Sequence, residues 1–342
     1  MRLSVLDQST ASKGKTQDVA IRETLALARH CDALGYHRYW VSEHHNSGNI
    51  VGTAPEVLMA AIAATTPRIR VGSAGVMLPH YSALKVAEQF RVLEAIAPGR
   101  IDLGIGRAPG SDGLTAHALN PNPQDVQDQY PRQVQELQHW VSGTPLPEGH
   151  PYRKIFAQPT GPGTPDLWIL GSSDYGAQLA AYFGLPYAFA YFFSGGAGVE
   201  QALNLYRRNF RASEAHPKPI ATICVWALAA DSEEEAWRQF RSRERASINR
   251  EFGIRVPLIS PEEAASLEYS PAEAAIAEKL RRKAIVGTAE QVAEKLKDLA
   301  QKLGLDELVV VTWTYAPEPR HRSYELLAKA FSLDVQLSKP SR

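Results

Sequence analysis

The sequence predicts an α/β protein of the (β/α)8 TIM barrel class, and three observations support this. Apolar, β-rich runs alternate with amphipathic helical runs along the whole chain, in eight pairs. Runs such as Leu308–Val311 are apolar at every position, as expected of parallel strands covered on both faces. The 342 residues also suit one barrel, since such domains span about 200 to over 400 residues. We therefore predict a single domain over residues 1–342, with a large open Rossmann-type sheet as the alternative.

The predicted strands are runs of β-branched, aliphatic and aromatic residues. In chain order they are Leu3–Gln8, Tyr36–Ser42, Ile69–Leu78, Arg100–Ile105, Leu167–Gly171, Pro186–Phe193, Ile220–Ala229 and Glu307–Trp313. Apolar residues spaced three and four apart predict helices between and after them. These helices are Asp18–Leu34, Pro55–Thr65, Ala83–Ala97, Asp128–Val141, Asp174–Phe183, Val199–Ser213 and Ser323–Phe331.

Strands seven and eight are separated by a longer stretch with extra helices. Three capping boxes, in which a Ser or Thr is followed three residues later by Glu or Gln, mark helix starts at Ser232, Ser270 and Thr288. They predict helices over Glu233–Glu251, Pro271–Lys283 and Ala289–Lys302. Irregular insertions are predicted after strand four (Ala108–Gln127), before strand five (Gly143–Pro165) and after strand seven (Phe252–Tyr269). The first and third lie on βα connections, so we expect them to shape the mouth of the barrel.

Composition argues against several classes of protein. Lys+Arg and Asp+Glu both total 37, so no global field attracts nucleic acid or an anionic membrane. Cys31 and Cys224 both lie in apolar runs, which predicts buried free thiols and a reducing cytoplasm. Met1–Val5 leads directly into a strand, and no apolar run reaches the roughly 18 residues of a membrane span. We expect a cytoplasmic protein.

The polar cluster Glu43-His44-His45 follows strand two, where such barrels place their active sites. Adjacent side chains of an extended segment point in opposite directions, so one His is expected to face the mouth and the other to brace it. A general acid or base with a neighbouring carboxylate is one interpretation. A structural His pair and a metal site are the others, although few further ligands accompany the pair.

Glycine-rich strand ends predict contact with a flat, phosphorylated ligand. Gly106 and Arg107 end strand four, but the spacing is not G-x-G-x-x-G and Pro109 interrupts it, so a dinucleotide fold is not expected. Arg107 suits a phosphate or ring oxygen, unless it forms only a surface ion pair. Gly171-Ser172-Ser173 precedes a helix, where hydroxyls and free N–H groups bind anions or simply cap the helix. The small residues Ser73–Val76 leave room for a ligand or for core packing.

Taken in order, these motifs resemble the bacterial luciferase-like family of flavin-dependent monooxygenases. The resemblance covers nearly the whole chain and is closest to single-type oxidoreductases of the family. Its motifs are Glu43–Asn46, Val71–Pro79, Pro98–Arg107, Ala180–Pro186 and Val286–Thr288.

The resemblance implies an enzyme that uses reduced FMN and O2 to oxidise a small organic substrate such as an aldehyde or another carbonyl compound. It implies a non-prolyl cis peptide at Ala74–Gly75 beneath the flavin and a catalytic role for His44, which Glu43 would assist. It places Arg107, Ser172 and Ser173 at the flavin phosphate and Tyr191 near the ring. Gly106 and Gly171 would give the cofactor room. A homodimer formed through the early helices is also expected.

One departure from the family pattern concerns the loop after strand four. Relatives commonly carry a further basic residue there, where this chain has Ala116–Pro121. Either His117 substitutes for it, or FMN is a transient co-substrate delivered by a separate flavin reductase. A deazaflavin-dependent oxidoreductase and a non-catalytic flavin-binding protein are the alternative functions.

Overall fold

The strands of the computed structural model lie where the apolar runs predict them. The structure describes residues 1–121 and 126–333, so part of the predicted insertion Ala108–Gln127 lies outside it. The strands are β1 (Arg2–Asp7), β2 (Arg38–Val41), β3 (Arg70–Ser73), β4 (Val76–Met77), β5 (Ile101–Gly106), β6 (Asp166–Gly171), β7 (Tyr187–Phe189), β8 (Ala221–Ala230), β9 (Ile285–Thr288) and β10 (Glu307–Val311).

Parallel pairing closes these strands into a barrel. The order is β10, β1, β2, β3, β5, β6, β7, β8, and β8 pairs with β10 to complete the ring. Val5 of β1 pairs with Val310 on one side and with Tyr39 on the other. The eight-stranded barrel is therefore confirmed, and the open sheet is excluded.

The helices surround the barrel and bury their apolar faces against it. They are α1 (Gln17–Ala33), α2 (Pro55–Thr65), α3 (Ala83–Ile96), α4 (Gly113–Leu119), α5 (Val126–Ser142), α6 (Asp174–Phe183), α7 (Tyr191–Ser194), α8 (Val199–Asn209), α9 (Glu233–Glu251), α10 (Pro261–Ser266), α11 (Pro271–Arg282), α12 (Ala289–Leu303) and α13 (Pro317–Ala330). Complete capping boxes begin α11 and α12, whereas Ser232 of α9 only accepts the N–H of Glu235.

The third predicted strand is divided. Backbone pairing breaks at Ala74 and Gly75, which are joined by a cis peptide bond, and resumes in β4. A Cβ at Gly75 would lie 2.9 Å from the carbonyl oxygen of Gly104 on β5. Glycine at this position is therefore explained by the close approach of the neighbouring strand.

The sequence did not predict β9. β8 has ten residues; Ile223–Trp226 pair with β10, while Ala227–Ala230 pair with β9 outside the ring. The stretch between β8 and β9 is thereby anchored at both ends beside the barrel mouth.

A buried ionic network fills the base of the barrel and was also not predicted. Asp102 is fully buried and accepts hydrogen bonds from Arg38 and Trp40 at 2.8 and 2.9 Å and from Arg70 at 2.6 Å. Arg38 also donates to Glu307 at 2.9 Å. These ion pairs hold the pKa of the Asp102 carboxyl at about 2, below its ordinary value, despite burial.

Both cysteines are buried free thiols, as predicted. No helix within the described ranges has the length and hydropathy needed to cross a bilayer.

Candidate active site

A cavity of about 500 Å3 opens at the carboxyl ends of the strands. It brings together eight of the ten predicted site residues, namely His44, Ala74, Gly75, Gly106, Arg107, Gly171, Ser172 and Ser173. The rest of its wall is largely apolar, with Trp40, Trp226 and Trp313 among the lining residues. A concave apolar pocket with a few convergent polar groups is typical of a cofactor site.

His44 follows β2 and faces the cavity. Its Nδ1 lies 3.2 Å from the hydroxyl of Ser42, and no protein partner is found for Nε2 within the described residues. Burial, with a contribution from the charge of Arg255, lowers the pKa of His44 to about 4. The imidazole is therefore neutral at pH 7 and can accept a proton.

Glu43, which is predicted to assist His44, lies behind the wall of the cavity, and its charge partly opposes the lowering of the His44 pKa by burial. Its carboxylate is 1% exposed; it accepts hydrogen bonds from the Tyr81 hydroxyl at 2.6 Å and the Met77 N–H at 3.0 Å. It also lies 2.8 Å from Nε2 of His45. Because the side chains of the extended segment alternate in direction, Glu43 and His45 brace β4, while His44 faces the cavity.

Tyr191 lies outside the cavity, contrary to the prediction. The apolar run Pro186–Phe193 is a strand only through Phe189, and the chain then turns into α7. This turn packs Tyr191 against the outer core and brings Phe192 and Phe193 to the cavity instead. An unbroken apolar run gave no signal of where the strand ends.

Arg107 and the start of α6 lie together. The guanidinium of Arg107 stacks on the ring of Tyr175, with Cζ 4.0 Å from the centroid. Ser173 is the N-cap of α6, yet its hydroxyl makes no capping hydrogen bond, and both Ser172 and Ser173 are exposed at the cavity. Free hydroxyls at a helix N-terminus beside a guanidinium fit a phosphate group.

Two glycines widen the same part of the cavity. A Cβ at Gly106 would meet only the Met77 sulfur at 3.9 Å, and one at Gly171 would come no closer than 3.6 Å to Gly176. Protein packing would therefore accept a methyl group at either position, and the missing side chains leave space in the cavity for a ligand.

The cavity also contains arginines that the sequence reasoning missed. His117 is exposed on α4 and is not among the described residues that line the cavity. Arg243 and Arg250 of α9 and Arg255 of the following loop do line it. The spacing of Arg243, Ser247 and Arg250 on one helix face was the available signal, but α9 is so rich in charge that it resembles a solvated surface helix.

The charged side chains among the described residues of the cavity wall are all arginines. Among its described lining residues are four arginines and one histidine, and none is Asp or Glu. Across the described ranges, no group of three His, Cys, Asp or Glu side chains is arranged to hold a metal ion.

The chain is similar to a known protein family and to individual relatives over most of its length. Residues 1–307 match the family described as luciferase-like monooxygenase. The luciferase-like monooxygenase of Escherichia coli K12 is 39% identical over 327 residues, covering 94% of this chain and 95% of its own. The N-acetyl-S-alkylcysteine monooxygenase of Bacillus subtilis is 37% identical over 334 residues, covering 96% and 98% of the two chains.

Solved structures agree with these matches. The crystal structure of apo-MsnO8 superposes with a TM-score of 0.88 at 35% identity, covering 97% of this chain and 99% of its own. An FMN complex of the oxygenating constituent of 3,6-diketocamphane monooxygenase from Pseudomonas putida has a TM-score of 0.73 at 21% identity, covering 96% and 97%. An F420-dependent secondary alcohol dehydrogenase has a TM-score of 0.66 at 15% identity, covering 96% and 98%. The last two show a shared fold alone.

Proposed function

The chain belongs to the luciferase-like monooxygenase family, and we propose that it uses reduced FMN and O2 to oxidise a small organic substrate. The observation that carries the proposal is the convergence of Arg107, Ser172 and Ser173 at one side of a glycine-widened cavity that also contains His44 and whose described lining includes no Asp or Glu. When bound, reduced FMN supplies the two electrons that let one atom of O2 enter the substrate and the other leave as water.

The residues present fit FMN. Arg107, Ser172, Ser173 and the N-terminus of α6 would hold the phosphate by charge-assisted hydrogen bonds. Ala74 and Gly75 would support the ring, and Gly106 and Gly171 leave it space. The apolar walls would exclude bulk water, which protects a reactive oxygen species from unproductive decay.

We assign proton transfer to His44 in this proposal. If Nδ1–H donates to Ser42, Nε2 is left as a free base, and the low pKa keeps it unprotonated at neutral pH. General acid–base catalysis of this kind contributes about 10²- to 10⁴-fold. Glu43 would act as a positioning residue, because it holds Met77 and Tyr81 and does not touch the cavity.

The flavin is proposed to be a transient co-substrate from a separate reductase. The position of His117 outside the cavity supports a weakly held FMN that is exchanged in each turnover. The exposure of Ser172 and Ser173 at the proposed phosphate site supports it as well.

A homodimer through α2 and α3 is also proposed, and it is supported by the exposed apolar side chains Val57, Val92 and Ile96.

The candidate substrates include two chemical classes. The apolar walls suit an aldehyde or another carbonyl compound attached to a hydrocarbon body. The Bacillus subtilis relative acts on an N-acetyl-S-alkylcysteine, and this makes a thioether the second class.

The test is O2 uptake by the protein with photoreduced FMN, with and without a panel of aldehydes, ketones and thioethers, followed by mass spectrometry in 18O2. Substrate-dependent incorporation of one 18O atom is expected. Hydride transfer from reduced F420 without O2 uptake would instead indicate a deazaflavin enzyme. Tight flavin binding without turnover of any substrate would indicate a flavin-binding protein.

A further inference from the structure

A cationic segment crosses one side of the barrel mouth. Arg243, Ser247 and Arg250 lie on one face of α9, and the chain continues through a loop to Arg255; all four line the cavity. The guanidinium of Arg243 stacks on Trp226 of β8, with Cζ 4.2 Å from the ring centroid. This stacking fixes its position without using its five N–H donors.

Two of these guanidiniums, those of Arg243 and Arg255, have no acidic partner among the described residues. Within the described ranges, the side chains of Arg243 and Arg255 make no hydrogen bond or ion pair, and Arg250 approaches only Glu251, at 3.8 Å on the surface. Burial lowers the pKa of Arg243 to about 9, so it stays protonated at neutral pH. Arg250 and Arg255 are exposed to solvent, whereas Arg243 is held against Trp226 with little access to water. Since an unpaired charge away from bulk water is costly, a bound anion would stabilise Arg243 in particular.

The arginine segment lies apart from the proposed phosphate site. Arg107 follows β5 and the serines follow β6, whereas Arg243 stacks on β8, two strands beyond β6 in the ring. Arg255 lies at the other end of the segment, near His44 after β2: a Cβ at Gly48 would clash with the Arg255 carbonyl oxygen, and the charge of Arg255 acts on His44. The segment therefore runs from β8 towards the sector that holds His44, opposite the phosphate site.

We propose that Arg243, with Arg250 beside it on the same face of α9, binds the anionic group of the substrate, so that the substrate is an organic carboxylate whose apolar body extends toward His44. This inference rests on the proposed function, because it assigns the phosphate to Arg107 and the serines. A guanidinium fork matches a carboxylate in two parallel hydrogen bonds, and Trp226, Trp313 and Ile50 of the lining provide an apolar surface for the rest of the molecule.

The experiment compares N-acetyl-S-benzylcysteine and a series of alkyl thioether acids with their matched carboxamides. Binding is measured by calorimetry on FMN-saturated protein, and FMN affinity is measured separately by fluorescence quenching. The variants are Arg243→Met, which keeps an apolar chain on Trp226, and Arg243→Lys, which keeps the charge. Arg241→Met is the matched control, since Arg241 is exposed on the same helix outside the cavity. Circular dichroism confirms that each variant is folded.

The acids are expected to bind at least tenfold more tightly than their amides to the wild-type protein and to the Arg241→Met variant. Arg243→Met should abolish this preference and leave FMN affinity within threefold, and Arg243→Lys should restore part of it. The inference is overturned if no acid in the series is preferred, or if Arg243→Met weakens FMN instead of the acid. Failure of FMN itself to bind to the wild-type protein would defeat the proposed function, which is a different and separately visible outcome.

Discussion

The guanidinium of Arg107 lies 4.0 Å from the centre of the Tyr175 ring, so a residue at the end of β5 is positioned by the first turn of α6. The two elements that would hold a phosphate therefore form one unit. Because the ring contact does not use the N–H donors of Arg107, those donors remain available to an anion.

Arg107→Ala is predicted to weaken FMN binding about 10- to 100-fold, since each hydrogen bond to a charged group contributes about 1.5–3 kcal/mol. Riboflavin, which lacks the phosphate, should bind equally well to the variant and to wild type. Fluorescence titration with both flavins tests this, with Arg208→Ala on the exposed face of α8 as a control. An equal loss for both flavins would place Arg107 at the ring instead.

His44→Asn is predicted to lower the rate of substrate oxidation by about 10²- to 10⁴-fold while FMN affinity stays within a few fold. His44 lines the cavity but is not part of the phosphate site, so binding and turnover should separate. Single-turnover kinetics with reduced FMN provide the measurement. His45→Asn is the matched control, because His45 pairs with Glu43 behind the wall; unchanged turnover in His44→Asn would remove the proton-transfer role.

His44 is predicted to become protonated near pH 4. An NMR titration of the imidazole resonances measures this pKa, and the His44→Asn variant identifies which resonance belongs to His44. Burial disfavours the charged imidazole, and Arg255 adds repulsion. The unfolded chain binds this proton near pH 6.5 and the folded chain only near 4, so the free energy of unfolding should fall as pH drops across that window. Arg255→Met should raise the pKa; a midpoint near 6.5 in wild type would contradict the assignment.

Glu43→Leu is predicted to lower the free energy of unfolding by about 2–4 kcal/mol, because it leaves the Met77 N–H and the Tyr81 hydroxyl buried without an acceptor. Glu43→Gln keeps an acceptor and should cost much less. Thermal denaturation of the two variants gives the comparison. If Glu43→Gln retains stability yet loses turnover, Glu43 has a catalytic role that its position behind the wall does not suggest.

Asp102→Asn is predicted to destabilise the barrel by about 3–5 kcal/mol, since it removes the fully buried carboxylate that Arg38 and Arg70 share and leaves them only Glu307 and Asp166 as acidic partners. Asp166→Asn is the control, because Asp166 pairs with Arg70 while 40% exposed, and should cost less. In wild type the Asp102 contribution is present above pH 4 and is lost toward pH 2, because its folded pKa is about 2. Urea denaturation at several pH values tests both statements.

The sequence predicted the features that depend on local pattern. Fully apolar runs such as Leu308–Val311 located the strands, and the parallel barrel then placed His44, Arg107 and Ser173 at one mouth without further information. Tyr191 was misplaced because an apolar run does not mark where a strand becomes a helix.

Features that depend on tertiary packing could not be predicted from the sequence. Asp102 is one charged residue in an apolar strand, and only the pairing and register of β2, β3 and β5 reveal that Arg38 and Arg70 surround it. Arg243 belongs to a helix whose charges resemble those of a solvated face, and only the docking of α9 over Trp226 turns one side of that helix into a cavity wall.

The anchoring of the chain on both sides of α9 has a consequence for evolution and engineering. β8 pairs with β10 through its first half and with β9 through its second. The roughly fifty residues between β8 and β9 therefore begin and end next to each other in the structure. The residues proposed to hold the flavin lie on other loops. The stretch can therefore be exchanged between homologous barrels as a cassette, and we expect such chimaeras to inherit the donor's substrate and the recipient's cofactor.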